Sequence, residues 1–164
     1  MNMKEYLLET FRFNDQMNRR MLRKVKNLAD KNDFTRYFSH LVNSQNKWLM
    51  RILDDSKSIG LSWWDPIYEF DDLEMKWKES VDAWIELLQR KSEDELLTEV
   101  EFTGYDGGRW AARLIDIALQ LNFHSIHHRA QMQAIIRSQG LEPDFVDYIG
   151  TKARKLSAAA SSQL

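Results

Sequence analysis

Three of the four histidines in this 164-residue chain fall within five positions of the segment NFHSIHHRAQ: His124, His127 and His128. An α-helix turns about 100° per residue, so side chains four apart lie about 40° from one another on one face. His124 and His128 therefore stack one turn above the other, and two imidazoles so placed can aim nitrogens at one divalent ion, for which Zn–N distances are about 2.0–2.1 Å. His127 lies further round, toward the polar side. The spacing lacks the glutamate of H-E-x-x-H, so it gives no support to a zinc-peptidase mechanism. A carboxylate-bridged di-iron centre would need Glu-x-x-His pairs. The residues three before His40, His124, His127 and His128 are Tyr37, Leu121, His124 and Ser125, which excludes it. Two ligands leave a site incomplete, and such a pair also occurs as plain helix-flank histidines. The remaining histidine, His40, lies off the middle of its segment's apolar face, near Tyr37 and Ser44. That position reads as exposed or at a helix–helix groove.

The elements that must hold these residues are legible in the apolar spacing. Leu7, Phe11, Met17, Met21, Val25 and Leu28 recur every three to four positions, which predicts a helix from Lys4 to about Ala29. A second helix follows, with Asp33 as its expected N-cap and Phe38, Leu41, Val42, Trp48, Leu49, Ile52 and Leu53 on a wide apolar face. Residues 55–68, DSKSIGLSWWDPIY, read as a loop broken by Gly60 and Pro66. A third helix spans about 71–91, and Ser92 opens the capping-box pattern SEDE. TEVEFTGYDGGRWAA alternates around Val100 and Phe102 and turns at GYDGG, which predicts a short β-hairpin. The last long helix spans about 112–139, with Gly140 as its C′ residue. Four amphipathic helices with one hairpin predict an all-α fold, a helical bundle. The long connection carrying the hairpin lets two neighbouring helices run parallel. We place one domain at 1–150 and a polar tail at 151–164, with the last ten residues expected to fray.

Composition narrows the chemistry. The chain has no cysteine, which excludes disulfides, thiolate ligands and a cysteine nucleophile and suits a cytoplasmic location. A formal net charge of −2 gives little reason to bind nucleic acid or an anionic membrane. The N-terminus does not read as a signal peptide, and no run approaches the roughly 18 apolar residues of a membrane span.

Three segments resemble the DinB/YfiT-like family of helical metalloproteins. FSHLVNSQNKWLMRIL is similar to its second helix, where a tryptophan follows a histidine by about eight residues. LNFHSIHHRAQMQAIIRSQGLEP resembles its last-helix signature, His-x-x-x-His-Arg-Gly-Gln, with Ala130 in place of the usual glycine. FRFNDQMNRRMLRKV looks like its opening helix. The resemblance spans about residues 4–148. It implies a four-helix bundle in up-down-down-up order and a mononuclear site with three histidine ligands. Carried over, these are His40, His124 and His128, so the resemblance selects His40 where the helical wheel does not.

Three neutral imidazoles leave open coordination positions, the arrangement of a catalytic site. The resemblance implies transfer of a low-molecular-weight thiol to an electrophilic small molecule, with nickel or zinc as the ion. A metal-dependent hydrolase using metal-bound water is the second enzymatic reading. A non-catalytic metal-binding or stress-response bundle acting as a homodimer is a third. Asn43, Ser44, Asn122 and Gln131 are candidate acceptors for the outer imidazole N–H groups, although each reads first as solvent-facing. Arg129 is expected to pair a carboxylate or a substrate anion, and Trp48 to lie in the core. Trp63 and Trp64 are expected to pack the loop onto the bundle, or one of them to wall a substrate pocket. Arg19, Arg20, Arg23, Lys24 and Lys26 read as a solvated helix face.

Overall fold

A computed structural model describes residues 2–154 and 156. The elements, in chain order, are α1 (Met3–Val25), α2 (Asn32–Leu53), a single turn α3 (Asp55–Ser58), α4 (Leu73–Arg90), a second single turn α5 (Glu93–Leu96), strands β1 (Glu99–Thr103) and β2 (Arg109–Arg113), and α6 (Leu114–Ser138). The all-α expectation holds for the bulk of the chain, with the hairpin standing before α6 as a two-stranded antiparallel sheet. Of the expected tail, residues 155 and 157–164 lie outside the described residues.

Local signals explain most boundaries. Asn2 caps α1 through a reciprocal capping box with Glu5, and Ser92 does the same for α5 with Glu95. Gly140 ends α6 at a φ of 81°, a backbone conformation that favours glycine. Asp33 does not cap α2. The helix begins one residue earlier, and the Asp30 carboxylate accepts the Asn32 N–H at 2.9 Å, leaving Asp33 inside the first turn. The loop expected from residue 55 opens instead with α3, because Asp55 accepts hydrogen bonds from Thr103 of β1 and an ion pair from Arg109 of β2.

The long helices pack in pairs: α1 against α4 and α6, and α2 against the same two. The buried stripe of α4, Leu73, Trp77, Val81, Trp84 and Leu88, shows how the spacing produces this. Burying each Leu or Val there contributes about 1.5–3 kcal/mol. The two indoles also place their N–H groups, Trp77 on Asp15 Oδ1 and Trp84 on the Gln45 carbonyl. Leu53, expected on the apolar face of α2, is instead exposed where the helix ends.

The core forms two apolar clusters. One gathers Val25, Phe34, Phe38, Trp77 and Ile136, and the other Leu7, Phe11, Trp84, Leu114 and Leu121. Buried polar side chains lie at the α1–α6 contact, where Asn14 Nδ2 donates to Asn122 Oδ1 at 2.6 Å and Asn18 Nδ2 donates to Ser125 Oγ at 2.9 Å. On the other side of the fold, β1 packs against α2, with Phe102 edge-on to Trp48 at 5.0 Å. No helix among the described residues is long and apolar enough to cross a membrane.

Candidate metal centre

The surroundings of His40 come from the segment after α3. Its backbone returns along α2 and gives that helix's polar side chains their partners. The Ser39 hydroxyl accepts the Tyr68 N–H, His40 Nδ1–H donates to the Trp63 carbonyl at 2.6 Å, Asn43 Nδ2 donates to the Pro66 carbonyl at 3.0 Å, and Lys47 Nζ donates to the Leu61 carbonyl. Loop carbonyls need donors once water is excluded, and these side chains supply them. His40 is consequently 6% exposed, although its wheel position reads as peripheral. Asn43 and Ser44 are buried as well, against the expectation that they face solvent, Asn43 through its bond to the Pro66 carbonyl. The Trp64 ring lies flat on His40, with centroids 3.8 Å apart and an interplanar angle of 12°.

Three imidazoles from α2 and α6 converge. His124 Nε2 lies 3.0 Å from His40 Nε2 and 2.9 Å from His128 Nε2, and one candidate ligand atom from each residue lies within 4.8 Å of the others. Two nitrogens on one tetrahedral ion at 2.0–2.1 Å would be roughly 3.3 Å apart, so the two short pairs, His40–His124 and His124–His128, need to open by only a few tenths of an ångström. The outer nitrogens settle the protonation pattern. The Trp63 carbonyl can only accept, so His40 carries its proton on Nδ1. His128 Nδ1–H donates to Gln131 Oε1 at 2.6 Å. Both Nε2 lone pairs therefore point inward, toward a His124 nitrogen that has at most one proton for two acceptors. A cation would satisfy all three nitrogens at once, so these residues fit the metal that the spacing suggests. His127 is exposed and outside the group.

The surroundings keep these rings neutral. Burial, followed by the neighbouring imidazoles of His128, His40 and His127, pulls His124 down to about 3. Burial pulls His128 down to about 4, against its bond to Gln131. His40 is also lowered by burial, against its bond to the Trp63 carbonyl. Neutral imidazole is the ligating form. In metal-free protein these groups add no pH dependence to stability well above pH 6.5, where both folded and unfolded chains hold them neutral. As pH falls from 6.5 toward 4, the unfolded chain binds protons that the folded chain refuses, and stability drops. Urea midpoints measured across that window should fall with pH, and His124→Gln should fall less steeply. Equal slopes would mean that His124 titrates normally.

Two further features flank the group. A cavity of about 240 Å³ reaches His40 and His124 and is also lined by Trp48, Trp63 and Ser44. Trp48 is half-buried, packed against the second core cluster on one side and lining the cavity on the other. The adjacent indoles divide the work, Trp64 covering His40 and Trp63 lining the cavity. Behind His128, Arg129 is 2% exposed and pairs no carboxylate among the described residues. Its guanidinium donates to Asn18 Oδ1 and Asn14 Oδ1, both at 3.0 Å, and lies over the Phe13 ring. Burial without a counter-charge lowers it to about 10. Asn122, expected at the surface, is buried in the same network, away from the imidazoles. Gln131 is half-buried and does take the role of outer acceptor. The basic face of α1 is largely solvated, with Arg19 paired to Glu74 and Arg20 and Lys24 near Asp144.

Lys47 and Arg51 went unremarked in the sequence, yet both adjoin the cavity wall through Trp63. Their signal is present: His40, Ser44, Lys47 and Arg51 recur at i, i+4, i+7 and i+11, a polar stripe along a helix whose other face is apolar. Compared with known proteins, residues 12–132 match the family model of the DinB superfamily. No curated protein matches, and no solved structure matches.

Proposed function

This chain belongs to the DinB superfamily, and from that premise we propose that it is a divalent-metal-dependent enzyme that transfers a low-molecular-weight thiol to an electrophilic small molecule. The observation that carries this reading is the convergence of three neutral imidazoles, from segments 84 residues apart, beside a cavity large enough for a small ligand. In it His40, His124 and His128 hold the ion, nickel or zinc, both of which suit imidazole. The four long helices form an up-down-down-up bundle around the site, in a cytoplasmic homodimer.

When bound, such an ion supplies a Lewis acid that favours the thiolate form of a thiol or polarises a substrate oxygen. The chain's own residues do the rest. The Trp63 carbonyl and Gln131 fix the ring orientations of His40 and His128. Trp64 and Tyr37, stacked on His40 and beside His128, shield the imidazoles from water. The cavity receives the electrophile. In the transfer a sulfur–carbon bond forms while the leaving group departs with its electron pair, and the thiol proton passes to solvent.

Elemental analysis of untagged protein is expected to find one nickel or zinc per chain. A thiol-consumption assay with common bacterial thiols and a model electrophile is expected to show turnover that stops on chelation. A bound metal with no turnover of any thiol would leave a non-catalytic metal protein. No metal uptake, even with added nickel and zinc, would remove the enzymatic reading.

A further inference from the structure

The cavity beside the imidazoles is lined by both apolar and polar side chains. Trp48 and Trp63, with ring centroids 6.2 Å apart and tilted by 58°, form an aromatic corner that Leu121 extends. Ser44, one helical turn before Trp48 on α2, also lines the cavity. It is 1% exposed, and its Oγ has no hydrogen-bond partner among the described residues. Native structures rarely leave a buried hydroxyl unpaired, because the desolvated group loses its bond to water and gains nothing in return. Here the missing partner belongs on a ligand. An apolar cavity of about 150 Å³ already holds benzene, so 240 Å³ accommodates one ring with a small polar substituent.

Charge narrows the substituent. Lys47 Nζ and Arg51 Cζ lie 5.1 Å and 5.0 Å from the Trp63 ring centroid. Lys47 is 9% exposed and forms no ion pair among the described residues. Arg51 is 7% exposed, and the nearby Asp55 is already paired to Arg109. Two cations against one shared carboxylate leave this wall positive, a field that disfavours a cationic ligand.

We propose that this cavity is the substrate subsite of the metal centre and takes a small aromatic carbonyl compound, an amide or a carboxylate, with its ring in the Trp48–Trp63 corner and its carbonyl oxygen accepting a hydrogen bond from Ser44 Oγ. Ser44 is a positioning residue. Calling the ligand a substrate rests on the metal-dependent reading above, whereas the cavity's preference does not, so the two can be tested apart.

The test uses four probes of nearly one shape, benzamide, benzoate, benzamidinium and toluene, titrated into metal-free ¹⁵N-labelled protein. Binding is followed at the indole N–H signals of Trp48 and Trp63. Benzamide and benzoate are expected to bind about tenfold more tightly than toluene, and benzamidinium more weakly than either by a similar factor. Ser44→Ala should bring benzamide to within about twofold of toluene and leave toluene unchanged. Equal affinities for benzamide and toluene in the native protein would overturn the proposal, and so would benzamidinium binding as tightly as benzoate. These two comparisons need no variant. A benzamide advantage that survives Ser44→Ala would also overturn it. Nickel titration of the native protein is read separately. Correct probe order without nickel uptake would keep the subsite and discard the metal, and nickel uptake with the wrong order would do the reverse.

Discussion

His124→Ala is expected to lower nickel or zinc affinity by more than about a hundredfold, the upper end of what losing an outer partner of a metal ligand costs. His127→Ala should leave it within about twofold. The contrast follows from position. His124 Nε2 is the nitrogen that approaches both other rings, at 3.0 and 2.9 Å, whereas His127 is exposed on the neighbouring face of α6. His40→Ala and His128→Ala should match His124→Ala, because each removes one of three inward lone pairs. Gln131→Leu should fall between the extremes, at about ten- to a hundredfold, since it leaves the ligand set intact and removes only the acceptor orienting His128. Competition against a chromophoric chelator measures all five variants on one scale. Equal losses from His124→Ala and His127→Ala would remove the proposed ligand set.

Arg129→Ala is expected to destabilise the metal-free protein by about 2–4 kcal/mol, among the larger effects of a single substitution. Two buried amide oxygens, on Asn14 and Asn18, would lose their donors, each at a cost of about 1–3 kcal/mol. The guanidinium's packing on Phe13 would go as well. Relief from burying an unpaired cation, visible in the lowering of Arg129 to about 10, offsets part of that loss. Urea denaturation of the chelated protein measures the difference. Arg137→Ala, at an exposed position of the same helix, serves as the comparison and should stay within about 0.5 kcal/mol of the native protein. A loss no larger than that at Arg129 would mean that the network contributes no net stability.

The stacking of His124 over His128 follows from i, i+4 spacing alone, and the structure places both rings as the spacing requires. The helix stripes, the hairpin, the Ser92 capping box and the αL residue Gly140 were legible for a like reason: each is a local preference of neighbouring residues. The cap of α2 falls two residues before the expected Asp33, at Lys31, and Asp30, outside the helix, accepts the Asn32 N–H.

Residues whose surroundings come from distant chain were not legible. A helical wheel takes everything off the apolar stripe to face water, and on α2 that assumption fails. The segment from Leu61 to Tyr68 lies over the flank that carries Ser39, His40, Asn43 and Lys47. Arg129, expected to pair a carboxylate or a substrate anion, instead has as partners two asparagines over 100 residues away.

By itself, then, the sequence determined the helices, the hairpin and the pairing of His124 with His128, since these depend on periodicity and short-range backbone chemistry. The joining of His40 to that pair, the cavity bounded by Trp48 and Trp63, and the burial of Arg129 were decided by the tertiary structure. Each depends on which backbone displaces water from a given helix flank, and only the packed chain fixes that.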